Sequence, residues 1–262
     1  MHGGSIPKEA QVGKLDGRVA LVTGAGQGVG RGIALAMAAE GAGVAVLGRT
    51  AAKVEETCAV IRERGGRALA VPCDVKDEMA LERAVSEVAG HFGGLHILVN
   101  NAQEVALGPL MSVSDKAFDA GWQSGPMATF RLMKLCYPHL RGGGCIINLG
   151  STAAMRWDYA YYGTYACVKE AIRSLSRAAA CEWARDGIRV NTILPCADSP
   201  ALMSWMGTAI AGDRDAFLNS IPLGRVGRCE EDIGRFAVLL CTSEAGYVTG
   251  QSIAVDGGQA YL

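Results

Sequence analysis

The stretch Arg18–Gly30, RVALVTGAGQGVG, is where the fold declares itself. An apolar, β-rich run ends in a glycine-rich loop, and GRGIALAMAAEG (Gly30–Gly41) then reads as a helix. A chain that turns tightly from strand to helix here can let a pyrophosphate approach its backbone. It can also aim free helix N-terminal N–H groups at negative charge. Gly24, Gly28 and Gly30 serve these needs, with Gln27 and Val29 between them. A lone glycine pattern is weak, and its place between strand and helix is what marks a nucleotide loop.

The alternation continues outward. GVAVLG (Gly43–Gly48), ALAVPCDV (Ala68–Val75) and LHILVNNA (Leu95–Ala102) read as strands. AAKVEETCAVIRERGG (Ala51–Gly66) and EMALERAVSEVAGHFG (Glu78–Gly93) read as the helices between them. Further on, the strands CIINLGS (Cys145–Ser151), IRVNTILP (Ile188–Pro195) and QSIAVDGG (Gln251–Gly258) alternate with two more helices. These are YACVKEAIRSLSRAAACEWARDG (Tyr165–Gly187) and EEDIGRFAVLLCT (Glu230–Thr242). Short continuous apolar strands separated by helices predict an α/β, doubly wound parallel sheet with helices on both faces. No biased linker or repeat divides the chain. A single domain over 15–262 is expected, preceded by a flexible leader, 1–14.

Composition agrees. Of 262 residues half are hydrophobic and 19% charged, which permits a large core and argues against disorder. A formal charge of −1 gives no basic field, against nucleic acid or an anionic membrane as partner. No apolar run approaches the roughly 20 residues that span a bilayer. The nine cysteines stand singly without CxxC spacing, which points to a reducing cytoplasm and no metal site.

The second strand ends VAVLGRT. Folds of this kind that use NAD place an acid there for the ribose 2′-OH. Gly48 stands in its place, followed by Arg49, whose guanidinium suits a 2′-phosphate. NADP(H) is therefore favoured, with NAD(H) the alternative.

With TGAGQGVG, CDV (Cys73–Val75), NNA (Asn100–Ala102), Ser151 and YACVK (Tyr165–Lys169), the chain resembles the short-chain dehydrogenase/reductase family from about Leu15 to Gly258. The resemblance includes the late segment IPLGRVGRCEEDIGRFAVLLCTSEAGYVTGQSIAVDGG (Ile221–Gly258). It implies a Rossmann-like fold of about seven parallel strands, a nicotinamide cofactor and a homotetramer or dimer. Tyr165 and Lys169, i and i+4 on a helix, share a face. A phenol with an ordinary pKa of about 10 is a poor acid–base catalyst at neutral pH, and a nearby ammonium is expected to lower it. Ser151 can hydrogen-bond the substrate oxygen. Tyr165 would then give a proton to a carbonyl on reduction, with the reverse on oxidation. The family lysine also holds the nicotinamide ribose. Asp74 and Val75 match its adenine-contacting pair, Asn101 and Ala102 a turn beside the adenosine ribose, and Pro195 the proline beside the nicotinamide. Asn101 could alternatively serve to hold strands together.

There are departures. The family has glycine after NNA, where Gln103 stands, and glycine after the proline, where Cys196 stands. The family asparagine of the helix before Ser151 aligns with Gly125 in AGWQSGPMATF (Ala120–Phe130). In the family that helix is kinked, and a backbone carbonyl binds a water that links the lysine to solvent. Pro126 has no N–H, so the Trp122 carbonyl is expected to lose its helical partner and to bind a water, with Ser124 adding a hydroxyl. That arrangement would keep the proton relay.

Two segments are expected to wall a substrate pocket. One lies between Ser151 and Tyr165, with Trp157 and Tyr159. The other follows Pro195 and carries Met203 and Trp205 on a lid, with Gln103 and Cys196 close by. Such surface suits a lipophilic, bulky or cyclic ketone or secondary alcohol. The alternatives are a 3-oxoacyl thioester reductase and a cofactor-binding protein with weak or no catalysis.

Overall fold

The computed structural model describes residues 13–155 and 161–260. Seven strands alternate with helices. The first half runs β1 (Val19–Thr23), α1 (Gly28–Ala39), β2 (Gly43–Gly48), α2 (Ala51–Glu63), β3 (Arg67–Pro72), α3 (Glu78–Phe92) and β4 (Ile97–Asn100). It continues with α4 (Asp115–Trp122), a π turn (Gln123–Met127), α5 (Ala128–Leu140), β5 (Cys145–Leu149), α6 (Gly163–Trp183) and β6 (Arg189–Pro195). The chain closes with α7 (Pro200–Thr208), α8 (Ala211–Asn219), α9 (Arg235–Cys241) and β7 (Ser252–Val255).

The strands lie in the order β3-β2-β1-β4-β5-β6-β7, all parallel. The expected Rossmann-like, doubly wound sheet is thus present. Because side chains alternate along a strand, β1 sends Ala20 and Val22 to one core and Val19 and Leu21 to the other. The first core is closed by Ile33 and Met37 of α1, Val54 and Ile61 of α2, and Val238 of α9. The second is closed by Leu81 and Val88 of α3, Leu132 and Met133 of α5, and Ala179 and Ala180 of α6. Both faces are apolar, which is why these strands read as continuous hydrophobic runs. Winding reverses between β1 and β4, and a crevice opens outside their C-terminal ends.

Two local differences from the sequence reading have plain causes. The third strand stops at Pro72 rather than Val75, because the Asp74 carboxylate accepts the Lys76 N–H at 3.0 Å and turns the chain. The break at Gly125-Pro126 is not a break: α4 and α5 join through the π turn. No helix among the described residues is long and apolar enough to cross a membrane.

Candidate active site

The crevice at the reversal is a cleft of about 420 Å³. Its floor is the glycine loop. Gly24 has φ +63°, and a Cβ there would lie 2.8 Å from Asn101 Nδ2 and 2.9 Å from the Ala102 Cα. A Cβ on Gly30, in the first turn of α1, would run into the Asn101 amide and the Gly24 carbonyl. Gly28, at φ +56°, opens α1 beneath Pro200. Gln27 caps α1 without a side-chain hydrogen bond, so no side chain at that position covers the first N–H groups. A cradle that admits no side chain, facing open helix N–H groups, fits the diphosphate of a dinucleotide.

Asn101 keeps this loop in shape. Its backbone N–H reaches Thr23 Oγ1 at 2.9 Å, and its Nδ2 reaches the Thr23 carbonyl at 2.9 Å and the Gly24 carbonyl at 3.2 Å. Ala102 N–H joins the same threonine hydroxyl at 3.0 Å. The Asn101 amide is thus engaged in tying β4 to β1. Gln27, Gly28, Val29, Arg49, Asp74, Val75, Asn101 and Ala102 all meet in the cleft wall. Lys53 and Glu104 also line this wall and Lys76 stands beside it, none of them announced by a motif. Glu104 Oε1 accepts from Arg49 Nη1 and from Lys76 Nζ, both at 2.7 Å. A carboxylate one residue past Gln103 was the only sequence signal.

The candidate catalytic side chains come from two neighbouring elements. Ser151 follows β5 and caps a short turn, Thr152–Ala154, accepting from Ala153 N–H at 3.2 Å. Tyr165 and Lys169 project from the first turns of α6. Ser151 lies close enough to the Tyr165 phenol to act on its pKa. Lys169 is buried, its Nζ donating to the Leu149 carbonyl at 2.7 Å and lying 5.6 Å from the Tyr165 ring centre. Burial lowers its pKa to about 8.

The expected depression of the Tyr165 phenol needs correcting. Burial pushes its pKa up, Ser151 nearby pulls the other way, and Tyr162 adds a smaller upward push. The Lys169 amine is turned toward Leu149 and does not offset the burial. Pro195 ends β6, with Val255 beside it in register.

The π turn also corrects the relay expectation. In a π turn each carbonyl pairs with the N–H five residues on, as Gln123 does with Ala128. By that geometry the Trp122 carbonyl meets Met127, not the absent N–H of Pro126. Ser124 is a clip: its hydroxyl donates to the Ala120 carbonyl at 2.7 Å and accepts the Glu104 N–H at 2.9 Å. Gln103 turns its carboxamide into the same corner. Its Nε2 donates to the Gly121 carbonyl at 2.8 Å and the Glu104 carbonyl at 2.9 Å. A Cβ on Gly125 would collide with that carboxamide and lie 2.8 Å from Val168 Cγ1.

The expected pocket residues do not all converge. Trp157 and Tyr159 lie outside the described residues. Cys196 is in the wall of a second cavity of about 730 Å³, between Pro222–Gly227 and Ala254–Ala260, and not in the glycine-floored cleft. It is drawn there because its N–H pairs with the Val255 carbonyl and its carbonyl with Gly227 N–H. Met203 and Trp205 stand on α7, which buries none of its residues. They are two apart and face differently, and the Trp205 ring packs edge-on against Phe217 of α8 at 5.3 Å. The segment after Gln103 supplies apolar surface that the sequence reading missed: Val105, Leu107, Leu110 and Met111 are all exposed. It is tied to the start of α6 by Gly108 N–H to the Tyr161 carbonyl and Thr164 Oγ1 to the Ala106 carbonyl, so it flanks Tyr165.

A family model described as enoyl-(acyl carrier protein) reductase matches residues 24–260. A 12alpha-hydroxysteroid dehydrogenase of Clostridium sp. is 37% identical over 257 residues, covering 94% of this chain and 98% of its own. A solved 7α-hydroxysteroid dehydrogenase, complexed with NADH and 7-oxo glycochenodeoxycholic acid, superposes with a TM-score of 0.87 at 32% identity, covering 93% of this chain and 94% of that one. A short-chain dehydrogenase from Burkholderia cenocepacia J2315, in complex with NADP, superposes with a TM-score of 0.86 at 31% identity, covering 94% and 99%.

Proposed function

The chain belongs to the short-chain dehydrogenase/reductase family, and on that premise we propose that it interconverts a lipophilic, bulky or cyclic ketone and its secondary alcohol with NADP(H). The observation that carries this reading is buried Lys169 one turn on from Tyr165, its Nζ 5.6 Å from the tyrosine ring centre, with Ser151 near the same phenol. A bound nicotinamide supplies or removes the hydride. Tyr165 gives the proton to the carbonyl oxygen on reduction and takes it back on oxidation, while Ser151 donates to the same oxygen as charge develops. Lys169 sets a buried positive charge beside the tyrosine ring, and a phenolate formed there is stabilised by it. Gly24, Gly28 and Gly30 let the diphosphate reach the open end of α1.

The absence of an acid at Gly48 and the cations Arg49 and Lys76 support NADP(H) over NAD(H). Support for an apolar substrate comes from exposed Val105, Leu107, Leu110 and Met111 on the segment tied to the start of α6, and from relatives named for hydroxysteroids. A homo-oligomer, dimer or tetramer, is part of the same reading and is tested by light scattering on the purified chain. The second reading is a cofactor-binding protein with little turnover, favoured by the raised Tyr165 phenol and by the Lys169 amine turned to Leu149.

The test is NADPH and NADH oxidation with a panel of cyclic and steroid-like ketones, a 3-oxoacyl thioester and a polyol run in reverse. Turnover of the cyclic ketones with NADPH is expected. Tight NADPH binding without turnover of any of them selects the second reading.

A further inference from the structure

We infer that Glu104 is a specificity-determining residue for the adenosine end of the cleft: it holds Arg49 and Lys76 as an internal anion and weakens the grip on a ribose 2′-phosphate. The inference rests on the dinucleotide reading above. Three loops that are remote in sequence deliver the three charges. Arg49 follows β2, Lys76 precedes α3, and Glu104 follows β4. One carboxylate oxygen, Glu104 Oε1, receives both cations at 2.7 Å.

This differs from a casual surface pair, because the Glu104 backbone is fixed on both sides. Its N–H is held by Ser124 Oγ at 2.9 Å, and its carbonyl takes Gln103 Nε2 at 2.9 Å. Its side chain is 30% exposed and that of Lys76 33%, while Arg49 is 59% exposed and the freest of the three. Arg49 meets Glu104 through a single Nη, so the two-pronged contact that suits a phosphate is not formed. A phosphate dianion arriving here takes the same two cations, and Glu104 opposes it twice, as competitor and as a like charge. A nucleotide with a free 2′-OH needs neither cation, so Glu104 acts on it far less. The residue therefore narrows the advantage that Arg49 and Lys76 give to the phosphorylated cofactor.

The experiment is calorimetric titration of the whole protein, wild type and Glu104→Gln, with adenosine 2′,5′-bisphosphate and with 5′-AMP. Glu104→Gln should tighten the bisphosphate about five- to tenfold and 5′-AMP by less than about twofold, roughly 1 kcal/mol of discrimination. Lys76→Met should weaken the bisphosphate alone, by a similar factor. Equal tightening of both ligands, or no change in either, overturns the assignment while leaving the dinucleotide cleft standing. Failure of the wild type to bind either ligand overturns both. An unchanged thermal midpoint for Glu104→Gln shows that the shift is electrostatic and not a loosened loop.

Discussion

The carboxamide of Gln103 occupies the space into which a side chain at position 125 would grow, so Gln103 and the glycine of the π turn form one packing unit. Each looks like a departure from the family when read alone. Together they are complementary: the long side chain arrives from β4, and the missing one on the helix makes room for it. Its Nε2 holds the Gly121 carbonyl, and its Oε1 is buried with no partner among the described residues.

Gly125→Asn should therefore destabilise the protein by about 1–3 kcal/mol, the usual penalty for overpacking. Gln103→Gly should lose the bridge to Gly121, and the double variant Gln103→Gly/Gly125→Asn should recover part of the combined loss. Urea unfolding of the four proteins in a double-mutant cycle checks this. Strict additivity would show that the two positions do not share the space.

Tyr165→Phe should lower turnover by about 10² to 10⁴, the range for removal of a positioned proton donor, while NADPH binding stays within about twofold. Ser151→Ala should lower it by about 10² to 10³. Both follow from single-turnover absorbance and fluorescence titration. Full activity in Tyr165→Phe would sink the proposed chemistry.

Burial lowers Lys169 from an ordinary value of 10.5 to about 8. Between those values the unfolded chain holds a proton that the folded chain does not, so unfolding becomes harder as pH rises. The burial penalty is complete below pH about 8 and is relieved on the way to about 10.5. The wild-type stability curve minus that of Lys169→Met should rise across this window, by no more than about 1.4 kcal/mol per pH unit. A flat difference would mean that the folded amine binds its proton as tightly as the unfolded one.

Gly30→Ala should abolish nucleotide binding and cost more than about 1 kcal/mol, because its Cβ meets the Asn101 amide and the Gly24 carbonyl, both already held in place. Gly212→Ala, in α8 with nothing near its Cβ, should be neutral or stabilise by up to about 1 kcal/mol. Thermal melts of the pair separate a packing requirement from ordinary helix propensity.

Much of the architecture could be read in advance, because a strand buried on both faces is a continuous apolar run that stands out against helical segments. The glycine loop was legible for a similar reason: its demands on backbone freedom are met within eight residues, Thr23–Gly30. The outcome of Pro126 was not. The sequence shows that an N–H is missing, but a kink and a π turn both answer that loss. The choice between them belongs to a corner that also holds Gln103 and Val168. The Tyr165 shift was misread for a related reason, since spacing places Lys169 on the same face but does not say that its amine turns to Leu149.

By itself, then, the sequence determined the alternating elements, the parallel sheet and the glycine-rich turn between β1 and α1. Each of these follows from period, propensity or backbone freedom over a few adjacent residues. Tertiary structure alone decided that Gln103 packs over Gly125, that Cys196 faces a second cavity, and that Glu104 gathers Arg49 and Lys76. Those residues lie 22 to 59 positions from their partners. Interactions of that kind exist only after the sheet has brought distant strand ends to one edge, where distance in space replaces distance along the chain.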